Sequence, residues 1–216
     1  MENRNELVRA ADIHEIKMLM ARYITNVHRM DYLSSHQKLM ANRHPEVTFE
    51  YMESGAYIGP EQVYRYMKAL HEYMQSPADK LGYMGLNHCV TPNIVVNKDG
   101  SAAKGHWAVL SPWAMQATPY PCDKRTLTAM WFYGKYDNEF IRTPEGWRIL
   151  KVHLIAYTRA PFDLGWVRQA DAMRIPPMHD LYPNRPPRYY TYHPDCMYTS
   201  GNIYNWGPYL PDDNDF

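Results

Sequence analysis

The chain has 216 residues, and its 23 Lys+Arg are balanced by 23 Asp+Glu, so the formal net charge is zero. That balance, with no block of like charges, argues against a nucleic-acid partner, because such binders carry a basic surplus or a basic stripe. No run approaches the ~18 apolar residues of a membrane span, and MENRNELVRAADIHEI lacks the apolar core of a signal peptide, so neither a membrane nor a secretory role is expected.

The first expected element is a helix. Ile13, Ile16, Met20, Tyr23, Val27 and Met30 recur at three- and four-residue steps, and Leu19 and Ile24 widen the stripe. Asp12 is placed to cap its start, with Glu15 completing a capping box. A short second helix is expected around Tyr32 to Ala41, before the break at Pro45. Val47 to Met52 alternates like a strand. Gly55 and Gly59 bracket a turn, and Pro60 opens a third helix that runs to about Gln75. Its buried face takes Val63, Tyr66, Met67, Leu70 and Met74. The pattern then switches to strands: His88 to Val96, a turn at Asn97 to Gly100, and Ala102 to Trp113. A Pro-containing connection leads to Thr126 to Arg142, the hairpin turn TPEG, and Trp147 to Thr158. That order predicts an α+β fold with helices packed on one side of an antiparallel sheet.

Residues 161–216 differ in composition. Nine of the 17 prolines and seven of the 19 tyrosines fall there, a mixture that argues for an ordered but irregular C-terminal arm. It has room for one short helix near Trp166 to Met173 and packs on its own domain or on a neighbouring subunit. The expected division is therefore 1–160 for the α+β domain and 161–216 for the arm. Cys89, Cys122 and Cys196 are odd in number, widely separated and form no CxxC, which makes a disulfide framework or zinc knuckle unexpected and a reducing cytoplasm the default. The abundance of Tyr, Trp and Met suits a pocket or an interface, since these side chains offer large apolar bodies with polar tips or adaptable shapes.

Three segments carry a family resemblance. They are ARYITNVHRMDYLSSHQKLM, then GPEQVYRYM leading on to NHCVTPNIVVNKDGSAAKGHW, then YGKYDNEFIRTPEGWRILKVHL. In order and spacing they resemble the SnoaL-like branch of the nuclear transport factor 2-like superfamily, over about residues 8 to 158. The branch includes scytalone dehydratase, bile-acid 7α-dehydratase, steroid isomerases and polyketide cyclases. The resemblance implies a cone-shaped domain whose curved antiparallel sheet and helices enclose an apolar pocket. It also implies acid–base chemistry without a cofactor near a substrate carbonyl, and assembly as homodimers or homotrimers. The same fold hosts non-catalytic binders and assembly proteins, so fold alone does not establish an enzyme.

The residues that would carry such chemistry can be named. His88 opens a strand whose apolar alternation runs through Val90, Ile94 and Val96; sharing their face would aim it inward, where an imidazole can exchange a proton near neutral pH. It matches the histidine base of the dehydratases. Tyr23 lies on the apolar stripe of the first helix, so its buried hydroxyl needs a partner or a ligand; the matching tyrosine contacts substrate oxygen. His28 stands where the relatives carry an aspartate that orients the histidine base. Asp31, one turn along the helix, is the substitute orienting carboxylate. Expected pocket walls are Tyr51, Tyr136, Asn138, His153, and one of the two faces that His106 and the pair Trp107 and Trp113 occupy on their strand. No HExxH, GxSxG, GxGxxG or P-loop is present, so no metal, nucleophilic triad or nucleotide cofactor is expected. The sequence therefore leads to a cofactor-independent dehydratase-type lyase or isomerase acting on a cyclic, mostly apolar carbonyl compound, or to a non-catalytic binder or assembly protein of the same fold.

Overall fold

The architecture comes from a computed structural model that describes residues 2–75, 82–116, 127–169 and 181–184. Helix α1 spans Glu2–His28. It begins ten residues before the predicted start, because ENRNELVRA is built from tolerant helix formers and nothing in it breaks the turn. Asp12 is therefore not a cap. It lies inside α1, 4% exposed, and its carboxylate receives the Arg142 guanidinium and, at 3.2 Å, the Trp147 indole N–H. This clamp pins the middle of α1 to a distant hairpin.

Helix α2 (Tyr32–Lys38) is capped by Asp31, whose Oδ1 accepts the Ser34 N–H at 3.1 Å. Strand β1 (Thr48–Tyr51), a 3-10 turn (Met52–Ser54) and β2 (Ala56–Ile58) form a tight hairpin where the pattern had suggested one strand. Gly55 closes that turn at φ 85°, a conformation natural to glycine. Helix α3 (Pro60–Gln75) follows as expected. The remaining elements are β3 (Met84–Gly85), β4 (His88–Val96), β5 (Ala102–Gln116), β6 (Leu127–Thr143), β7 (Gly146–Pro161) and the short α4 (Gly165–Arg168).

The seven strands form one curled sheet in the order β2-β1-β7-β6-β5-β3, with β4 also paired to β5. The sheet is not wholly antiparallel, as the sequence had suggested: β1 runs parallel to β7, with Thr48 opposite Lys151 and Tyr51 opposite Leu154. The long meander lets β7 arrive beside β1 in either direction, and no hairpin joins the two to force an antiparallel pair. Helix α1 packs on β3, β4 and β7, while α2 and α3 pack on each other and α3 on β2, so the helices close one side of the sheet. The core between them is a single cluster that includes Ile16, Met20, Tyr23, Phe49, Tyr66, Phe132, Tyr136 and Leu154.

Three irregularities shape that inner face. On β4 the register slips between Val90 and Asn93, where Thr91 and Pro92 oppose only Trp107 of β5. Thr91 there adopts φ 49°. On β7 single extra residues fall at Leu150 and Tyr157. Each such bulge moves every following side chain to the other face of its strand.

Most of the expected C-terminal arm lies outside the described residues. Of its predicted helix, the described residues include Gly165–Arg168, with Trp166 set edge-on to Tyr133 at 5.3 Å, and residues 170–173 lie outside them. Farther on, Asn184 Oδ1 accepts the Ile58 N–H at 2.8 Å and the Leu181 carbonyl accepts the Tyr57 hydroxyl at 3.5 Å, which ties this stretch to the β2 edge.

Candidate ligand-binding site

The start of β4 decides what the interior contains. Ile94 packs against the core and Val96 is buried, so alternation without a bulge would carry the inward face back to Val90 and His88. The extra residue at Thr91–Pro92 reverses this. Cys89 packs against the core and Asn87 is buried at 2% exposure, while His88 and Val90 are exposed. His88 thus stands on the outer face, opposite to the orientation its strand pattern suggested.

Around Asn87 the interior is a nest of phenol rings. Tyr23, Tyr32, Tyr51, Tyr66 and Tyr136 are all buried, drawn from α1, α2, β1, α3 and β6. Tyr23 meets Tyr136 edge to face at 6.0 Å. Tyr51 stacks on Phe49 at 5.6 Å, and Tyr66 stacks on Tyr57 at 4.0 Å. The Tyr32 and Tyr51 hydroxyls bond to each other. The Tyr23 hydroxyl has no hydrogen-bond partner among the described residues, although Tyr136 is near enough to donate toward it. Asn87 links the nest to β5: its Oδ1 accepts the Ser111 hydroxyl at 2.9 Å and the Trp113 indole N–H at 3.1 Å, and its Nδ2 donates to the Tyr136 oxygen at 3.3 Å. Trp113 in turn stacks on Phe132 at 4.3 Å.

This environment holds its acids neutral. Burial pushes the Tyr23, Tyr51 and Tyr136 hydroxyls well above the ordinary phenol range, and neighbouring phenols add to the effect. Burial lifts Tyr32 to about 12 and the Cys89 thiol to about 12. At neutral pH the cluster is therefore a set of uncharged donors, and Cys89 is an inert thiol.

The other expected site residues divide between this interior and other duties. Tyr23, Tyr51, Tyr136, Trp107 and Trp113 are in the core cluster on the inner face. Asn138 also faces inward but is occupied: its Nδ2 meets Met20 Sδ at 3.4 Å, and its Oδ1 accepts the His153 N–H at 3.0 Å beside the Leu150 bulge. His28 ends α1 in an exposed position, and its Nε2 donates to the Asn87 carbonyl at 3.0 Å. A carbonyl only accepts, so His28 carries a proton on Nε2. Asp31 serves α2 as its cap and faces His71 Nδ1 at 3.6 Å rather than His88. Burial works to raise its pKa, but the Ser34 hydrogen bonds and His71 outweigh this and leave it lowered. His106 and His153 lie on the opposite, convex face. His106 Nδ1 bonds Asp137 at 2.9 Å, Asp137 also takes the buried Lys135 ammonium at 3.0 Å, and His153 Nε2 lies 3.7 Å from Glu50. No group of three or more His, Cys, Asp or Glu able to hold a metal occurs among the described residues.

Sequence reasoning missed Asn87, Ser111, Tyr32 and Cys89 as parts of this interior, and placed Tyr66 on a buried helix face without joining it to the site. Ser111 was within reach, since it shares the face of Trp107 and Trp113 on a strand without a bulge. Asn87 was not, because its place depends on a slip four residues away. A separate surface groove of about 580 Å³, lined by Val8, Asp12, Gly100 and Arg142 among others, includes none of the tyrosines.

A curled α+β sheet closed by three helices over an aromatic interior defines a nuclear transport factor 2-like cone. A family model for the SnoaL-like domain matches residues 8–153, and the chain belongs to that family. None of the curated proteins matches it. Among solved structures it is similar to a protein of Kribbella flavida at 20% identity, covering 70% of this chain and 94% of that one, with a TM-score of 0.51. A scytalone dehydratase candidate from Novosphingobium aromaticivorans is 13% identical over 81% of this chain and 99% of that one, at TM-score 0.50. The protein LinA is 14% identical over 82% of this chain and 100% of that one, at TM-score 0.51.

Proposed function

We propose that the chain binds a small, mostly apolar cyclic molecule between the concave sheet face and the helices, gripping it by an oxygen. One observation carries this reading: the Tyr23 hydroxyl is fully buried and its proton has no acceptor among the described residues. Leaving such a group unpaired costs about 1–3 kcal/mol, and an acceptor oxygen on a guest removes that cost. The aromatic lining supplies the rest of the binding through apolar contact. Replacing Tyr23 by Phe keeps the ring and deletes only the donor. We expect Tyr23→Phe to weaken binding of a bicyclic ketone such as 2-tetralone by about tenfold with unchanged circular dichroism; unchanged affinity would remove the basis of this reading.

A second reading has the same site act as a cofactor-independent lyase, of dehydratase type, or as an isomerase. Neutral buried tyrosines favour it, because a fixed donor stabilises an enolate oxygen as charge develops there. The proton must then be moved by an imidazole at the mouth. His28 is the better placed, since it bonds the backbone of Asn87 and keeps Nδ1 available to accept; His88 lies beside it on the outer face. Under this reading Tyr23 holds the substrate oxygen, and Asp31 serves α2 rather than the reaction. Incubation with a cyclic β-hydroxyketone separates the readings. A lyase releases water to give the conjugated enone in a reaction that His28→Ala abolishes, whereas a binder returns the compound unchanged. The family resemblance adds homodimer or homotrimer formation to the proposal, which sedimentation of the full chain tests directly.

A further inference from the structure

We propose that Asn87 is the positioning residue that sets the hydrogen-bond polarity of the tyrosine nest, so that the site takes a ligand oxygen that can only accept, as in a ketone or enolate, and rejects a group that must donate. The inference rests on the ligand-binding reading above and adds its chemical selectivity. It begins with Trp113, whose indole N–H can donate and never accept. That N–H lies 3.1 Å from Asn87 Oδ1, and the Ser111 hydroxyl adds a second donor to the same oxygen at 2.9 Å. Turning the amide over would set two N–H groups head to head, so the indole fixes which end of Asn87 is oxygen.

The other end is then fixed as well. Asn87 Nδ2 donates to the Tyr136 oxygen at 3.3 Å. With its oxygen engaged as an acceptor, Tyr136 must send its own proton elsewhere. The neighbouring phenol is Tyr23, whose ring stands edge-on at 6.0 Å and whose hydroxyl is buried without a partner among the described residues. The Tyr136 proton therefore runs toward the Tyr23 oxygen, and the Tyr23 proton is left to point away from Asn87. The thiol of Cys89 is also close to both phenols, but it is neutral, and sulfur accepts weakly. The site so built presents donors, and its counterpart is an oxygen with lone pairs and no proton.

The β4 bulge is what installs this device. Without the extra residue at Thr91–Pro92, alternation would turn Asn87 outward and present the imidazole of His88, which can accept or donate according to its tautomer.

Two probes with one skeleton test the idea: 2-tetralone, which only accepts, and 2-aminotetralin, which as an ammonium only donates. The unaltered full-length chain should bind the ketone at least about tenfold tighter than the amine by calorimetry. Asn87→Asp is nearly isosteric, keeps an acceptor for Trp113 and places a second acceptor against Tyr136. It should lower the ketone-to-amine ratio by tenfold or more. Trp113→Phe, which frees the amide to turn, should lower the same ratio by a smaller factor; it carries the test alone if Asn87→Asp does not fold. A ratio unchanged in the variants, with ketone binding intact in the unaltered chain, overturns the role of Asn87 and leaves the binding reading standing. Binding of neither probe by the unaltered chain overturns both.

Discussion

Asn87, just before β4, and His88, its first residue, are adjacent in the chain and point to opposite sides, one bonded into the interior and one exposed. The difference shows where residue-level reading of the sequence succeeds. Tyr23, Tyr51 and Tyr136 are legible as inward because each lies on an element whose period is unbroken up to that point, whereas alternation alone leaves open which of His106 and the Trp107–Trp113 pair faces the core, and the structure places the tryptophans there. His88 was misplaced because its face depends on Thr91 and Pro92, and a bulge leaves little trace in residue type. Asp31 was legible as a helix-end residue but not as a cap that is fully occupied. The same residue-scale chemistry makes a prediction about Cys89. Its thiol, raised to about 12 by burial, should resist alkylation at pH 8 in the folded chain and react fully in denaturant. Site-resolved mass spectrometry reads this out, and rapid native labelling of Cys89 would contradict the buried environment.

Among the elements, β4 carries a residue in strained backbone. Thr91 holds φ 49°, a left-handed conformation that a β-branched residue adopts only at a cost of roughly 1–2 kcal/mol. Thr91→Gly relieves that strain while losing some chain entropy, so a net gain of up to about 1 kcal/mol is expected in urea unfolding. A clear loss would mean that the Thr91 side chain itself supports the bulge. Gly134 on β6 shows the reverse case. A Cβ there would meet the Ile155 carbonyl at 2.2 Å and the Phe132 ring at 2.7 Å, next to the β7 bulge at Tyr157. Backbone cannot yield as a flexible side chain can, so Gly134→Ala should destabilise by roughly 2 kcal/mol or more. Element positions were readable from sequence to within a few residues for α3 and the four long strands, because amphipathic period and turn residues agree there. The start of α1 and the β1–β2 hairpin were less legible, since neither polar helix formers nor three-residue strands produce a strong period.

At the scale of the whole molecule, stability should depend on pH through groups whose charge the fold disfavours or favours. His36 is buried between α2 and α3 with its ring against Tyr64, and both ring nitrogens lack partners among the described residues. Burial lowers its pKa from 6.5. The unfolded chain therefore binds this proton first, and stability falls as pH drops below about 6.5 until the folded-state value is passed. Asp137 behaves differently on the convex face. Burial works to raise its pKa, but His106 and Lys135 outweigh that and lower it below 3.8, so its stabilisation persists until pH falls through the carboxylate range. Thermal melts from pH 7.5 to 5 should show a decline that His36→Leu flattens; an identical decline in that variant would assign it to another group. The clamp of Asp12 with Arg142 and Trp147 acts at the same scale, since it joins α1 to the β6–β7 hairpin. Asp12→Ala leaves that indole N–H and a half-exposed guanidinium without their shared acceptor, and a loss of about 1–3 kcal/mol is expected.

The parallel seam between β1 and β7 has a consequence for how the chain reaches this shape. Thr48 meets a partner about one hundred residues later. During synthesis, β1 and β2 emerge long before the strand that completes their edge, and they must wait, paired only with each other. Local hairpins such as β4–β5 and β6–β7 can form first, while closure of the cone waits on long-range pairings such as this seam and is a late, slow event. The nest of tyrosines, which draws on α1, α2, β1, α3 and β6, comes into being only when that seam shuts.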